Sequence, residues 1–381
     1  MDYPYIFNFL IMLFLAYQYW KKQDPRLIKW AFILQFAFIA LRAPVVGADT
    51  WNYVRYLADE RDFYNYDERE LEPLFIVYRE ILVALHCNRL AVMLINSFLS
   101  CYPLYLLVKR FSNNVPLSLA MLPILNFYGL YFVGLRQVLA LAILILAMLY
   151  VYDEKKRKWT VFVLLSFVAW NFHTSAAVYA AIFVAAYFIK FKSRIVLISA
   201  VAISAVMGIV LQSFNVFDAF NFFLNLNVSA TERIEGYLQE GGETREIESI
   251  IMNLRPSLIA IGVFMFIDKE KLNHWFSVLY AVQLIIANLF ISVPMISRLT
   301  GGFVVFGAIV FTWVLGNDYY LRIKQRQLVN KILIVFFLYF GQMLVKNNLV
   351  SNIDLTSAGR MHPYYFIWED YSDHPSIKYW Q

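Results

Sequence analysis

Five residues of this 381-residue chain have types and settings suited to chemistry on an anionic substrate. Arg42 and Asp49 lie seven positions apart in LRAPVVGADTWNYVRYL, Arg136 opens the apolar run GLRQVLALAI, His173 sits in WNFHTSAAVY, and Arg298 in SVPMISRLTGG. An arginine keeps its charge when partly desolvated and offers a planar fork to two phosphate oxygens at once. A carboxylate such as Asp49 could take a proton from a sugar hydroxyl; the His173 imidazole could do the same, or donate to a phosphate. Each residue also has a plainer reading. The arginines could snorkel to the interface, Arg42 could pair with Asp49, Asp49 could cap the helix that follows it, and His173 could be a structural helix-end residue.

The elements that must hold these residues are membrane spans. The chain is 61% apolar and only 16% charged, far from globular averages, and its apolar runs are separated by short charged loops. Runs of spanning length start near residues 3, 27, 90, 115, 135, 159, 175, 194, 253, 275, 299 and 329. No cleavable leader pattern precedes the first, which is expected to stay as an anchor. The spacing predicts an all-α polytopic membrane protein of about 12 transmembrane helices, forming one integral membrane domain over residues 1–381.

Nearly all the lysines fall in loops that alternate to one side, including Lys21, Lys22, Lys109, Lys155, Lys156, Lys158, Lys190, Lys192, Lys269 and Lys271. Lysine-rich short loops mark the cytoplasm, so both termini are expected outside, with outer segments at 46–89, 214–250 and 346–381. The net charge of +6 is thereby a topology signal and calls for no nucleic-acid partner. Within the first outer segment, PLFIVYREILVALH places large apolar side chains at helical spacing opposite Glu72, Arg79 and His86. This predicts an amphipathic helix on the outer interface.

Against that frame Arg42, Arg136, His173 and Arg298 all fall at outer helix ends, where the positive-inside rule disfavours arginine. Arg255, in NLRPSLIAIG, is a weaker fifth candidate at the same face. Their convergence predicts a cationic cleft that would hold an anion such as phosphate. The aromatics Trp51, Tyr53, Tyr56, Tyr64, Tyr66 and Tyr78 crowd the same outer segment and could stack on sugar rings. Cys87 and Cys101 have no partners at metal or disulfide spacing. The chain carries no Walker A, GxSxG, HExxH, dinucleotide fingerprint or DxD pair, so the expected phosphate site uses no metal and no cofactor.

Four blocks taken in order carry a resemblance: LRAPVVGADTWNYVRYL, EPLFIVYREILVAL, YGLYFVGLRQVLALAILILAMLYV and FVAWNFHTSAAVYAAIF. Together they resemble the EpsG family of bacterial polysaccharide polymerases, the group that includes Wzy-type O-antigen polymerases. The likeness covers roughly residues 30–190 and thins afterwards to Arg233 with Tyr237 and to Arg298. It implies a GT-C-like glycosyltransferase of the plasma (inner) membrane, working at its periplasmic face on oligosaccharide repeat units carried by undecaprenyl diphosphate. Matched by motif, Arg42, Gly47, Asp49 and Tyr53 belong to the first block, Glu72 and Pro73 to the second, Arg136 and Gln137 to the third, and His173 and Ser175 to the fourth.

In the implied reaction Asp49, or else His173, takes the acceptor proton, while Arg136, Arg298 and Arg42 hold the departing lipid diphosphate. Tyr53, Gln137, Arg233, Tyr237 and Arg255 line the substrate. A chain-length-regulating co-polymerase of the Wzz-like kind and a flippase are the implied partners, besides membrane lipid. An O-antigen ligase using the same donor, or a lipid-linked oligosaccharide flippase, are the alternative readings. The C-terminal tail LTSAGRMHPYYFIWEDYSDHPSIKYW matches nothing in the resemblance.

Overall fold

Apolar runs that leave water must satisfy their backbone hydrogen bonds internally, and helices do so segment by segment. The computed structural model describes residues 3–47, 49–60, 71–125, 127–154, 156–213, 247–290, 300–315 and 364–372, and among these every named element is a helix. Arg233, Tyr237, Arg298, most of the 214–250 segment and the run near 329 lie outside the described residues. The chain divides into two compact units, one of residues 1–181 with 315–381 and one of residues 182–314.

In the first unit the helices are α1 (Tyr3–Lys22), α2 (Pro25–Ala40), α3 (Thr50–Leu57), α4 (Pro73–Ala84), α5 (Arg89–Phe111), α6 (Val115–Ile124), α7 (Phe127–Tyr131), α8 (Leu135–Tyr152), α9 (Lys158–Trp170) and the start of α10 (Ser175–Phe188). In the second are α11 (Arg194–Ser213), α12 (Ile247–Phe266), α13 (Lys269–Leu272), α14 (Trp275–Leu289) and α15 (Val304–Leu315). By length and composition α5, α8 and α11 can each cross a bilayer, and six shorter apolar helices accompany them among the described residues. This is a membrane protein; the expected span count exceeds what these helices establish. Exposed Tyr3, Phe7, Leu10, Phe14 and Tyr17 form a stripe along α1, the surface a lipid-facing helix presents.

Several starts and stops are local. Asp24 accepts from the Arg26 amide before Pro25, Asn88 caps α5 through the Ala91 amide, and Asn114 caps α6 through the Leu117 amide. Each side chain satisfies a helix N–H that has no partner within the helix. Buried polar side chains pair across helices: Asn8 donates to Gln35 (3.1 Å) and to the Tyr128 hydroxyl (2.8 Å). In the second unit Ser257 donates to Asn288 (2.8 Å), which donates to Ser204 (2.9 Å).

The first unit has two chemically distinct ends. Helix α5 begins at Arg89 and α8 at Leu135, next to Arg136, and both run to a basic end, where Arg110 pairs with Asp153. The lysine-rich turns of α1 and α5 belong to that end, since Asn114 donates to the Ala16 carbonyl (3.1 Å). At the other end lie α3, the start of α4, the α9–α10 turn and residues 364–372. The charge segregation expected from the sequence is therefore a structural polarity of this unit.

Residues 364–372 strap the loop after α2. The Ala43 amide donates to the Tyr365 carbonyl (2.7 Å) and the Ile367 amide to the Leu41 carbonyl (2.9 Å), around an antiparallel bridge between Arg42 and Phe366. Tyr364 is buried, donates to the Phe38 carbonyl (2.6 Å) and stacks on the Phe38 ring. The amphipathic helix is present as α4, but its apolar residues split into two faces. Phe75, Tyr78 and Leu82 are buried, while Val77, Ile81 and Leu85 stand exposed four residues apart. The exposed stripe is suited to the apolar edge of a bilayer.

The loop carrying Asp49 rests on the Phe132 carbonyl, which accepts from the Thr50 hydroxyl. Gly47 has φ +127°, and a Cβ there would meet that carbonyl oxygen at 1.8 Å. Gly47→Ala is therefore expected to destabilise the fold by about 1–3 kcal/mol, read as a lower thermal midpoint of purified protein. An unchanged midpoint would show that the loop reseats at no cost.

Candidate active site

Four segments distant in sequence meet at the end opposite the basic loops. Arg136, in the first turn of α8, donates from Nε to the Tyr53 hydroxyl of α3 (3.1 Å) and from Nη1 to Glu72 Oε2 (2.5 Å). Glu72 occupies the N-cap position of α4, before Pro73, without capping its own helix. Its second oxygen, Oε1, instead accepts from the Thr174 backbone amide (3.2 Å) in the α9–α10 turn. The same turn is tied to α4 by the Leu74 amide, which donates to the Asn171 carbonyl (3.1 Å). Beside it the His173 Nδ1 accepts from the Ser175 amide (3.1 Å) and lies 2.8 Å from the Ser175 hydroxyl.

The packing beneath explains why this geometry holds. Tyr53, Phe75, Tyr78, Leu135 and Leu139 belong to one buried cluster, and Phe172 and Ile367 pack against it. The Arg136 guanidinium lies 5.2 Å from the Tyr53 ring centroid and 5.7 Å from that of Phe75. The Arg136 and Glu72 side chains are only 16% and 12% exposed. The ion pair is thus largely withdrawn from water, where a missing partner is costly.

The sequence-predicted residues do not all join this site. Tyr53, Arg136 and the His173 turn do. Asp49 stands at the N-cap position of α3, as its plainer reading had it, but makes no side-chain capping bond there. It is partly buried, one turn from Tyr53 and joined to it by the Tyr53 amide donating to the Asp49 carbonyl (3.1 Å).

Arg42 does not join the site; its guanidinium is turned to backbone carbonyls. It is 3% exposed and donates to the carbonyls of Val46 (3.1 Å), Ile39 (2.5 Å) and Tyr131 (3.5 Å), with Phe132 stacked 4.3 Å away. Burial lowers its pKa to about 10, which leaves it charged at neutral pH. It closes the carbonyl groups that α2 and α7 leave unpaired, a structural task, and borders a small cavity of ≈ 20 Å³ with Asn96, Ser97 and Ser100. Gln137 likewise turns inward and donates to the buried Tyr179 hydroxyl (2.6 Å).

Arg255 lies on α12, with its side chain outside the described residues, as do Arg298, Arg233 and Tyr237 entirely. The outer aromatics Trp51, Tyr53, Tyr56 and Tyr78 are all buried; they build the wall and are not an open stacking surface, while Tyr64 and Tyr66 lie outside the described residues. Glu72 is the residue that reasoning from types alone passed over, because a glutamate before proline reads as a helix start. Its signal was its membership of the second motif block. Among the described residues no three His, Cys, Asp or Glu side chains are grouped to hold a metal.

These features define a polytopic helical membrane protein with an ion-paired, aromatic-walled polar site at one end of its first unit. Residues 25–365 match the EpsG family, and the chain belongs to it. The chain matches no curated protein and no solved structure. Family membership assigns it, in general terms, to polysaccharide polymerisation.

Glu72→Ala would leave the Arg136 charge without its partner in a site poorly exposed to water. Destabilisation of about 3–5 kcal/mol is expected for the single variant, with the Glu72→Ala/Arg136→Ala double variant costing less than the sum of the two singles. Denaturant unfolding of the four proteins measures this coupling, and strictly additive values would mean that the pair is not an energetic unit.

Proposed function

We propose that this protein is a glycosyltransferase that lengthens a surface polysaccharide. It would move a glycan from one polyprenyl diphosphate, of the undecaprenyl type, to a hydroxyl of a second lipid-linked repeat unit at the periplasmic face of the plasma membrane. The observation that carries this reading is the convergence of Tyr53, Glu72, Arg136 and the His173 turn through direct hydrogen bonds. Residues contributed by four separate motif blocks make one site at the lysine-poor end. A site of this kind offers fixed cationic and neutral donors to an anion, beside a carboxylate that can serve as a base.

In the proposed reaction the bond from the acceptor oxygen to the sugar anomeric carbon forms as the bond from that carbon to the diphosphate oxygen breaks. The acceptor proton passes to Asp49, and the lipid diphosphate leaves with the bonding electrons. Arg136, held by Glu72 and Tyr53, stabilises charge growing on the diphosphate without having to reorganise. His173 has a different task from Asp49. Its Nδ1 accepts from the Ser175 amide, which places the hydrogen of the neutral ring on Nε2 and makes that nitrogen a donor. His173 therefore serves as a second donor to the leaving group, and Asp49 as the base.

The roles of Arg298, Arg255, Arg233 and Tyr237 rest on the sequence alone. A Wzz-like co-polymerase and a flippase that delivers the repeat units are the partners this reaction calls for. Single replacement of Arg136, Asp49, His173 and Arg298 by Ala in the host, with protein levels matched, is expected to shorten or abolish the polysaccharide ladder. For Arg136→Ala the rate should fall by roughly 100-fold or more, as for the loss of one donor to a developing anion. Normal ladders in all four would overturn the proposal; long polymer retained on the carrier lipid would instead mark a ligase.

A further inference from the structure

Trp51, Tyr53, Tyr56 and Tyr78 are buried, yet Trp368, at the same end of the first unit, is open. From Phe38 outward the rings of Tyr364, Phe366 and Trp368 form a continuous series. Tyr364 stacks on Phe38 at 4.8 Å, Phe366 meets Tyr364 edge-on at 5.2 Å, and Trp368 stacks on Phe366 at 4.8 Å with an interplanar angle of 4°. Exposure climbs along it, from 6% at Tyr364 to 66% at Trp368. The outermost ring thus offers an open face on a base that the core holds still.

The backbone is equally constrained. Ile367, between the two stacked rings, packs against the buried cluster that contains Tyr53 and Leu135, the neighbours of Arg136 in space and in sequence. Glu369 Oε2 accepts from the Phe366 amide (2.6 Å) and closes the turn. Tyr371 meets the Trp51 ring and accepts from Arg89 (3.3 Å). Ile367 therefore ties the segment that carries the open ring to the wall of the candidate site.

The charge around Trp368 argues for its occupant. Tryptophan is enriched at both bilayer interfaces, and basic neighbours strengthen such an anchor where the leaflet is anionic. Here the next two residues are Glu369 and Asp370, both exposed. The Ser372 amide, donating to Asp370 (3.0 Å), holds that carboxyl below the usual range and so ionised at neutral pH. Two exposed acidic residues directly after the open indole in the chain disfavour anionic headgroups, and carboxylates can accept hydrogen bonds from hydroxyls and amines. An open apolar ring face followed in the chain by two acceptors is complementary to a pyranose, with its apolar C–H face and hydroxyl edge.

We propose that Trp368, with Glu369 and Asp370, is a subsite for a neutral or amino-bearing sugar of the glycan, outside the reaction centre, and that it discriminates against acidic sugars. This rests on the polymerase reading, since it is that reading which brings a glycan to this end of the molecule. The subsite would hold the repeat unit by its sugars while Arg136 and its neighbours act at the diphosphate.

The test uses the full-length protein in nanodiscs and, as probe, the oligosaccharide repeat released from the host polysaccharide, with its lipid and phosphate removed. Saturation-transfer NMR is expected to show binding by the native protein. Trp368→Ala should bind about tenfold more weakly, the order of magnitude of one aromatic stack, with Trp368→Tyr close to native and an unchanged thermal midpoint in both. An N-acetylated neutral repeat should bind better than one carrying a uronic acid. Equal binding by native protein and Trp368→Ala, or quenching of Trp368 fluorescence by brominated acyl chains, would overturn the subsite. Loss of probe binding in Trp368→Ala alongside normal polymer in Arg136→Ala would instead leave the subsite standing and refute the reaction centre.

Discussion

The contact between Glu72 and Arg136 is the constraint on which the rest of this site depends. Two opposite charges about 4 Å apart attract by roughly 4 kcal/mol at the effective dielectric of a protein surface, and withdrawing both from water costs a similar amount. Such a pair adds little net stability, but either member alone would be a poorly hydrated charge. The pair therefore acts on geometry more than on stability. It obliges α4 to start where α8 starts, and Glu72 Oε1 extends the obligation to the α9–α10 turn through the Thr174 amide.

The chemistry that follows draws on this rigidity. An arginine already oriented by a carboxylate and a phenol loses little freedom when an anion arrives. In the proposed reaction the diphosphate would compete with Glu72 for Arg136, which would temper how tightly it binds before the chemistry. Ground-state binding that is not too strong, with stabilisation reserved for the charge that develops later, is what differential binding of a transition state requires. Tyr53 contributes twice, since its hydroxyl orients Arg136 while its ring is part of the buried wall.

Burial also separates two kinds of polar residue that look alike in the sequence. Arg42 and Gln137 sit in the same motif blocks as Asp49 and Arg136, yet their side chains are committed to backbone carbonyls and to Tyr179. Arg42 holds the end of α2 against α7 and the loop that carries Gly47, and the strap of residues 364–367 closes over it. A residue needed to build the platform and a residue needed to act on the substrate are both intolerant of change. A motif records that intolerance without its cause.

The helical spans, the segregation of lysine from the site end, the half-buried helix at 73–84 and the family were legible in the sequence, because each follows from local composition or from an ordered set of short motifs. Apolar length and helical period act within one segment and need no partner to be read. Which arginine joins Tyr53 and Glu72 was decided by tertiary structure, because Arg42 and Arg136 differ only in what surrounds them. The pairing of Glu72 with Arg136 over 64 positions, the burial of Trp51 and Tyr56, and the exposure of Trp368 on a tail that matched no motif are likewise properties of packing. No single segment contains the partners that define them, so the chain had to fold before these residues acquired distinct roles.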